Sequence, residues 1–186
     1  HAIPITTNCK APLLQHPYAL YTLLFMTLPI KNYARSQCID LLSSPYFETT
    51  HFAGSTITPD KTLWELLSKE VGVDKGHQSW QRLALTNGHK SSSPKQATLL
   101  LKTFNQLYDD LNALPKSASY SDYVSAFQSL LKKYLGLVIP EEKDSALKQE
   151  DRVKKGIGHI FEGLADLDCI QARVSLATFI ETFERW

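Results

Sequence analysis

Apolar residues recur every three or four positions along most of the chain, a spacing that predicts helices. The first such stripe is Tyr18, Tyr21, Leu24, Phe25 and Leu28. Pro17 opens it at a position where a missing N–H costs nothing, and Pro29 closes it. A second helix over about Tyr33 to Leu42 places Ala34, Cys38, Ile39 and Leu42 on one face. Thr58-Pro59 offers a cap and a first-turn proline ahead of Leu63, Trp64, Leu67 and Val71. A short helix around Gly76 to Leu85 presents Trp80, Leu83 and Ala84.

Ser93-Pro94-Lys95-Gln96 has the form of a capping box, with Ser93 as cap, Pro94 at the first position and Gln96 able to reach back. From it runs the longest stripe: Ala97, Leu100, Leu101, Phe104, Leu107, Tyr108, Leu111 and Leu114, ended by Pro115. Tyr120, Tyr123, Val124, Phe127, Leu130, Leu131 and Tyr134 make the next, with Gly136 suited to a left-handed helix stop. A long helix is expected from about Glu141 to Ala165 on Leu147, Val153, Ile157, Ile160, Phe161 and Leu164, weakened by Gly156 and Gly158. Ser175 caps a last helix carrying Leu176, Phe179, Ile180 and Phe183.

Ala2 to Pro12 alternates loosely around two prolines and reads as a short strand or extended lead-in. The longest irregular pieces lie at 43–59 and 86–93, and neither strand–helix alternation nor an internal repeat is visible. The expected fold is therefore all-α: an irregular domain of seven to eight helices behind a short extended N-terminal lead-in. At 186 residues it fits one domain, large enough to bury about two-thirds of the surface its unfolded chain exposes. The absence of an initiator Met, and the place of Trp186 inside an amphipathic pattern, suggest an excised piece of a longer chain.

Charge and cysteine usage narrow the classes further. Lys and Arg number 20 against 19 Asp and Glu, without the basic excess of a free-standing nucleic-acid binder. Cys9, Cys38 and Cys169 lie far apart and are odd in number, which argues against a disulfide framework and a C-x-x-C metal site and for reduced thiols in a cytoplasmic protein. The apolar run from Tyr18 to Ile30 is shorter than the ~20 residues a membrane span requires.

Catalytic patterns fail on spacing. Asn87-Gly88-His89-Lys90-Ser91 hints at a phosphate loop, but His89 separates Gly88 from Lys90 and Leu83 stands where the upstream glycine belongs. The histidines never pair at i, i+4. Asp109-Asp110, Glu141-Glu142 and Glu150-Asp151 are adjacent acids that diverge around a helix and do not converge on a metal or a substrate. No catalytic, cofactor-binding or metal-binding residue is assigned, and no cofactor is expected. The candidate contacts to phosphate are Lys132, Lys133, Arg152, Lys154 and Lys155, with ordinary helix solubilisation as the competing reading.

One phrase is distinctive. Ile3-Pro4, Pro12-Leu13, the leucine-rich helix Tyr18–Leu28 with Pro29, Arg35, and then Leu41-Leu42-Ser43-Ser44-Pro45-Tyr46-Phe47 occur in an order that resembles the helicase-like region of AddB-type and related RecB-family subunits of bacterial ATP-dependent helicase–nucleases. Trp64, Trp80-Gln81-Arg82-Leu83 and Ser175-Leu176-Ala177-Thr178-Phe179 also resemble the helical insertion that follows in that family. The specific part covers about residues 1–48, and 58–186 would be the insertion. Physically, Pro45 disfavours helix at Ser44, so Tyr46 and Phe47 can fold back as aromatic anchors.

The resemblance implies an accessory helical domain, inactive in isolation, of an enzyme working in double-strand break repair and recombination. Family members carry ATP-site motifs upstream in active motors and often a nuclease domain downstream, so no catalytic residue carries over to this chain. The implied partners are the remainder of the parent chain and its partner subunit, with weak contact to duplex DNA and none to a membrane. Two other readings stand beside it. One is a helical interaction or scaffold module unrelated to DNA, which would show an exposed apolar patch. The other is a helical enzyme assembled from His77, Asp109 and Tyr123.

Overall fold

Each helix begins and ends where local chemistry permits. In a computed structural model, residues 15–48, 58–87, 93–139 and 148–186 are described. Among them are eight α-helices: α1 (Pro17–Thr27), α2 (Arg35–Ser43), α3 (Lys61–Glu70), α4 (His77–Trp80), α5 (Pro94–Asn112), α6 (Tyr120–Leu135), α7 (Gln149–Ala165) and α8 (Leu176–Arg185). Turns of 3-10 helix follow α4 (Gln81–Asn87) and α7 (Asp166–Cys169). The fold is all-α, as the periodicity implies. The expected lead-in at 2–12, Leu147 and the start of the long helix at Glu141 lie outside the described residues, within which α7 begins at Gln149.

Several starts and stops follow the sequence. Pro17 stands in the first turn of α1, while the His16 ring nitrogen Nδ1 accepts from Tyr18 N at 3.2 Å. Ser119 and Ser175 cap α6 and α8, their hydroxyls accepting from the amides of Asp122 (3.0 Å) and Thr178 (3.1 Å). Gly136 ends α6 with φ 59°, and the Leu137 amide reaches back to Leu131 O at 3.2 Å.

Other details differ from expectation. The cap of α3 is Asp60 and not Thr58, because a carboxylate one position past Pro59 reaches Leu63 N at 2.9 Å. The capping box at Ser93 does not form, for Gln96 is drawn into the core instead: its Oε1 accepts from Trp64 Nε1 (2.9 Å) and Asp60 N (3.2 Å), and its Nε2 donates to Thr58 O (2.7 Å). The second helix starts at Arg35, since Asn32 and Tyr33 both adopt φ 52° and close a left-handed turn. A two-residue antiparallel ladder, β1 (Ser117–Ala118) with β2 (Val174–Ser175), pairs Ser117 with Ser175 and Ala118 with Val174. No sequence pattern announces it, because each strand is too short to alternate.

One apolar cluster runs through the molecule. Trp80 stacks on Phe104 at 4.4 Å and donates its indole N–H to Tyr33 O at 3.0 Å. Phe25 and Phe47 both pack on Tyr134, at 5.6 and 5.9 Å. Phe179 of α8 sits among Tyr120, Tyr123 and Phe127 of α6, and Phe161 meets Phe183 at 5.3 Å. Gly158 and Gly163 admit neighbours that a Cβ would crowd, namely Ile139 at 3.0 Å and Trp186 at 2.8 Å.

Candidate functional site

The Leu41–Phe47 phrase folds as a helix stop with anchors. Helix α2 ends at Ser43, and Ser44 is extended (ψ 151°), the geometry a following proline demands. Leu41, Leu42 and Phe47 are buried, and the Tyr46 ring stands edge-on to Tyr18 at 5.2 Å. Lys61 of α3 reaches across and donates to the carbonyls of Ser43 (2.9 Å) and Ser44 (2.7 Å), closing the C-terminal end of α2. Partial burial there pushes the Lys61 pKa down. The Glu48 amide then donates to Tyr134 O at 2.8 Å, fastening this turn to the end of α6.

Beside this turn the outer side of α1 faces α2 across a groove of about 490 Å³, lined by Pro17, Leu20, Tyr21, Leu24, Asp40 and Ser43. Half of Leu20 is exposed. The expected stripe on α1 is thereby divided: Tyr18 and Phe25 point inward with Ala19, Thr22 and Met26, whereas Tyr21 and Leu24 line the groove. Helix α1 is apolar nearly all round, so periodicity alone does not select its buried side. Its uniform apolarity was the available signal that a second side needs cover.

The five candidate cations do not form one free basic face. Lys133 pairs with Asp110, which also accepts from the Tyr134 hydroxyl. Burial raises the Asp110 pKa, but the bonds from Lys133, Tyr134 and Gln106 outweigh it and hold the carboxyl below its ordinary range. Burial, and then the bond to Asp110, push the Tyr134 phenol up, so it remains a neutral donor. Lys154 pairs with Glu150 at 2.7 Å and lies 5.0 Å above the Tyr18 ring. Lys155 is half-buried, which leaves Lys132 and Arg152 as the two exposed members, on α6 and α7 respectively. The i, i+4 pairing of Glu150 with Lys154 was legible in sequence, whereas Asp110 and Lys133 lie on different helices.

His77, Asp109 and Tyr123 are not brought together. The His77 ring stacks on Tyr108 at 4.3 Å and its Nε2 accepts from Gln81. Tyr123 donates to Pro115 O at 2.7 Å and packs on Phe179 at 5.0 Å. No group of three or more His, Cys, Asp or Glu side chains able to hold a metal occurs among the described residues, nor is any described helix long and apolar enough to cross a membrane.

A polar cluster that sequence reasoning missed lies at the start of α6. The Asp168 carboxylate accepts from the amides of Tyr120 (2.6 Å) and Ser121 (3.2 Å) and from the Ser121 hydroxyl (2.5 Å). The Ser121 hydroxyl first, and then the two amides, hold its pKa below the ordinary carboxylate range. Because Asp168 stands 47 residues from Ser121, no local motif reveals the contact. Its place across a helix N-terminus fits a brace between α6 and the turn after α7.

Comparison of the chain with protein-family models, curated proteins and solved structures returns no match in any of the three.

Proposed function

We propose that this chain is a non-catalytic accessory domain of a bacterial ATP-dependent DNA helicase–nuclease acting in double-strand break repair, and that it works by bracing against the rest of that enzyme. The observation that carries the bracing role is the apolar groove between α1 and α2, beside the Leu41–Phe47 turn. Half-exposed Leu20 and part-buried Tyr21 and Leu24 give it an apolar lining that a segment of another protein region can cover. The DNA-facing role is weaker, since Lys133 and Lys154 already pair with Asp110 and Glu150. Assignment to the helicase–nuclease rests on the resemblance over residues 1–48.

The flanking coding sequence tests the parent. An upstream Gly-x-x-x-x-Gly-Lys-Ser/Thr loop or a downstream nuclease motif supports the reading, and a full-length protein lacking both overturns it. Fluorescence anisotropy with a labelled duplex tests the division of labour. Only weak binding that disappears by about 0.2 M salt is expected, because two exposed cations release few counterions. Tight, salt-resistant duplex binding would contradict bracing. The same groove also favours a second reading, an interaction module unrelated to DNA, which predicts no duplex affinity even at low salt and neither flanking motif.

A further inference from the structure

The groove between α1 and α2 follows α1 from its first residue, with Pro17 and Leu24 both in the lining. Counted from the His16 cap, Leu20 is the fourth helical residue, and half of it is exposed. An apolar residue just ahead of a helix ordinarily covers that position and fixes the angle at which the chain enters. Gln15, which stands there, is polar, but Leu13 and Leu14 come directly before it. Tyr21 and Leu24 continue the partly exposed apolar lining. Asp40 of α2 is the one formal charge in it, is exposed, and makes no hydrogen bond or ion pair among the described residues.

Residues 1–14 lie outside the described residues, and their sequence complements this lining. Lys10-Ala11-Pro12-Leu13-Leu14 stops just short of the His16 cap, and Lys10 is the only Lys, Arg, Asp or Glu in that stretch. The chain turns at Gln15 and His16, which supplies the change of direction needed to lay the segment back along α1. From Leu14 back to Lys10 an extended chain covers about 13 Å. The helix from Pro17 to Leu24 is about 10 Å long, so Lys10 can reach the far end of the groove. Pro12 disfavours helix at Ala11, in keeping with an extended track. Tethering adds a further advantage, since a covalently joined segment meets its site at an effective concentration of about millimolar.

We propose that Lys10–Leu14 folds back into this groove, with Leu13 and Leu14 against Leu20, Tyr21 and Leu24 and the Lys10 ammonium at the Asp40 carboxylate. The leucine pair supplies the attraction, and the single cation opposite the single anion sets the register. The inference rests on the bracing reading in one respect, that the groove is a protein-contact surface, and it names the chain's own lead-in as the contact.

The test is paramagnetic broadening in ¹⁵N–¹H NMR spectra of the 186-residue chain, with a nitroxide on Cys9 and Cys169→Ser. Cys38 is fully buried and stays unlabelled. The amides of Leu20, Tyr21, Leu24 and Asp40 should broaden. Ser121 should not, because it starts α6 and Tyr18 of α1 meets the other end of that helix at Leu135. Leu13→Ser/Leu14→Ser should lower the seating equilibrium about tenfold or more. Asp40→Lys should lower it about two- to fivefold, as loss of an exposed ion pair does, and adding Lys10→Glu should restore it. Broadening that is absent, uniform, or unchanged in these variants would overturn the inference. So would equal broadening in a mixture of spin-labelled ¹⁴N chain with unlabelled ¹⁵N chain, which would make a second copy the occupant. Absence of broadening leaves the groove open to the rest of the parent, so the bracing reading is decided separately by the flanking coding sequence.

Discussion

Gln96 joins three segments through one buried side chain, satisfying the Trp64 indole, the Asp60 amide and the Thr58 carbonyl together. Replacing it by Ala leaves the Trp64 N–H unpaired in a site where Trp64 is fully buried. The expected loss is about 2 kcal/mol of stability, seen as a lower urea midpoint with an unchanged slope. Gln96→Glu sets a buried carboxylate oxygen against Thr58 O in place of the amide donor, so near neutral pH it should be no more stable than the Ala variant. Asp110 provides a pH signature. Its folded-state pKa lies below the ordinary value through the bonds from Lys133, Tyr134 and Gln106, which outweigh burial. The unfolded chain therefore takes up this proton first as pH falls. The stability Asp110 contributes is complete above its unfolded pKa of about 3.9 and disappears as pH drops through the lower folded value. Wild type should exceed Asp110→Asn in urea midpoint at pH 6, and the gap should narrow steadily toward pH 3.

At the scale of elements, a local signal was reliable wherever its partner was also local. Pro17, Gly136 and Ser175 each sit within a few residues of the amide or carbonyl they serve, so sequence placed them correctly. Ser93 and Gln96 have an equally good local signature, but Trp64 and Asp60 outcompete the helix for the Gln96 side chain. The β1–β2 ladder, the Asp168 brace and the division of α1 into two apolar sides likewise depend on partners far along the chain. The groove was legible only as excess apolarity, since five residues at one spacing look alike whether they meet core or solvent. Gly136 permits a direct check of the local kind. Ala there must adopt φ 59° with its Cβ 3.2 Å from Glu48 Oε1, at the junction where Glu48 N meets Tyr134 O. Gly136→Ala should cost about 1–2 kcal/mol, and amide exchange should quicken in the last turn of α6 while α3 keeps its protection.

The whole molecule behaves as one folding unit if the continuous apolar cluster is what holds it. Three groups of aromatic contacts stand within that one cluster: Trp80 with Phe104, Tyr134 with Phe25 and Phe47, and Phe179 with its ring of α6 side chains. Damage at one end should therefore be felt at the other. Phe179 is fully buried, and Phe179→Ala should cost about 3–5 kcal/mol through lost burial and the cavity left behind. That corresponds to a fall in Tm of about 10 °C for a chain of this length. Measured in a Trp186→Phe background, the fluorescence reports Trp64 and Trp80 alone, both distant in sequence from the substituted helix. If the core is continuous, the fluorescence and far-UV circular dichroism transitions move down together and stay coincident, as a single cooperative transition requires. If the tryptophan transition stays in place while the circular dichroism curve splits, α6–α8 fold apart from the earlier helices. The proposed bracing role would then fall to α1–α3, because the groove lies between α1 and α2 and Lys61 of α3 closes the end of α2.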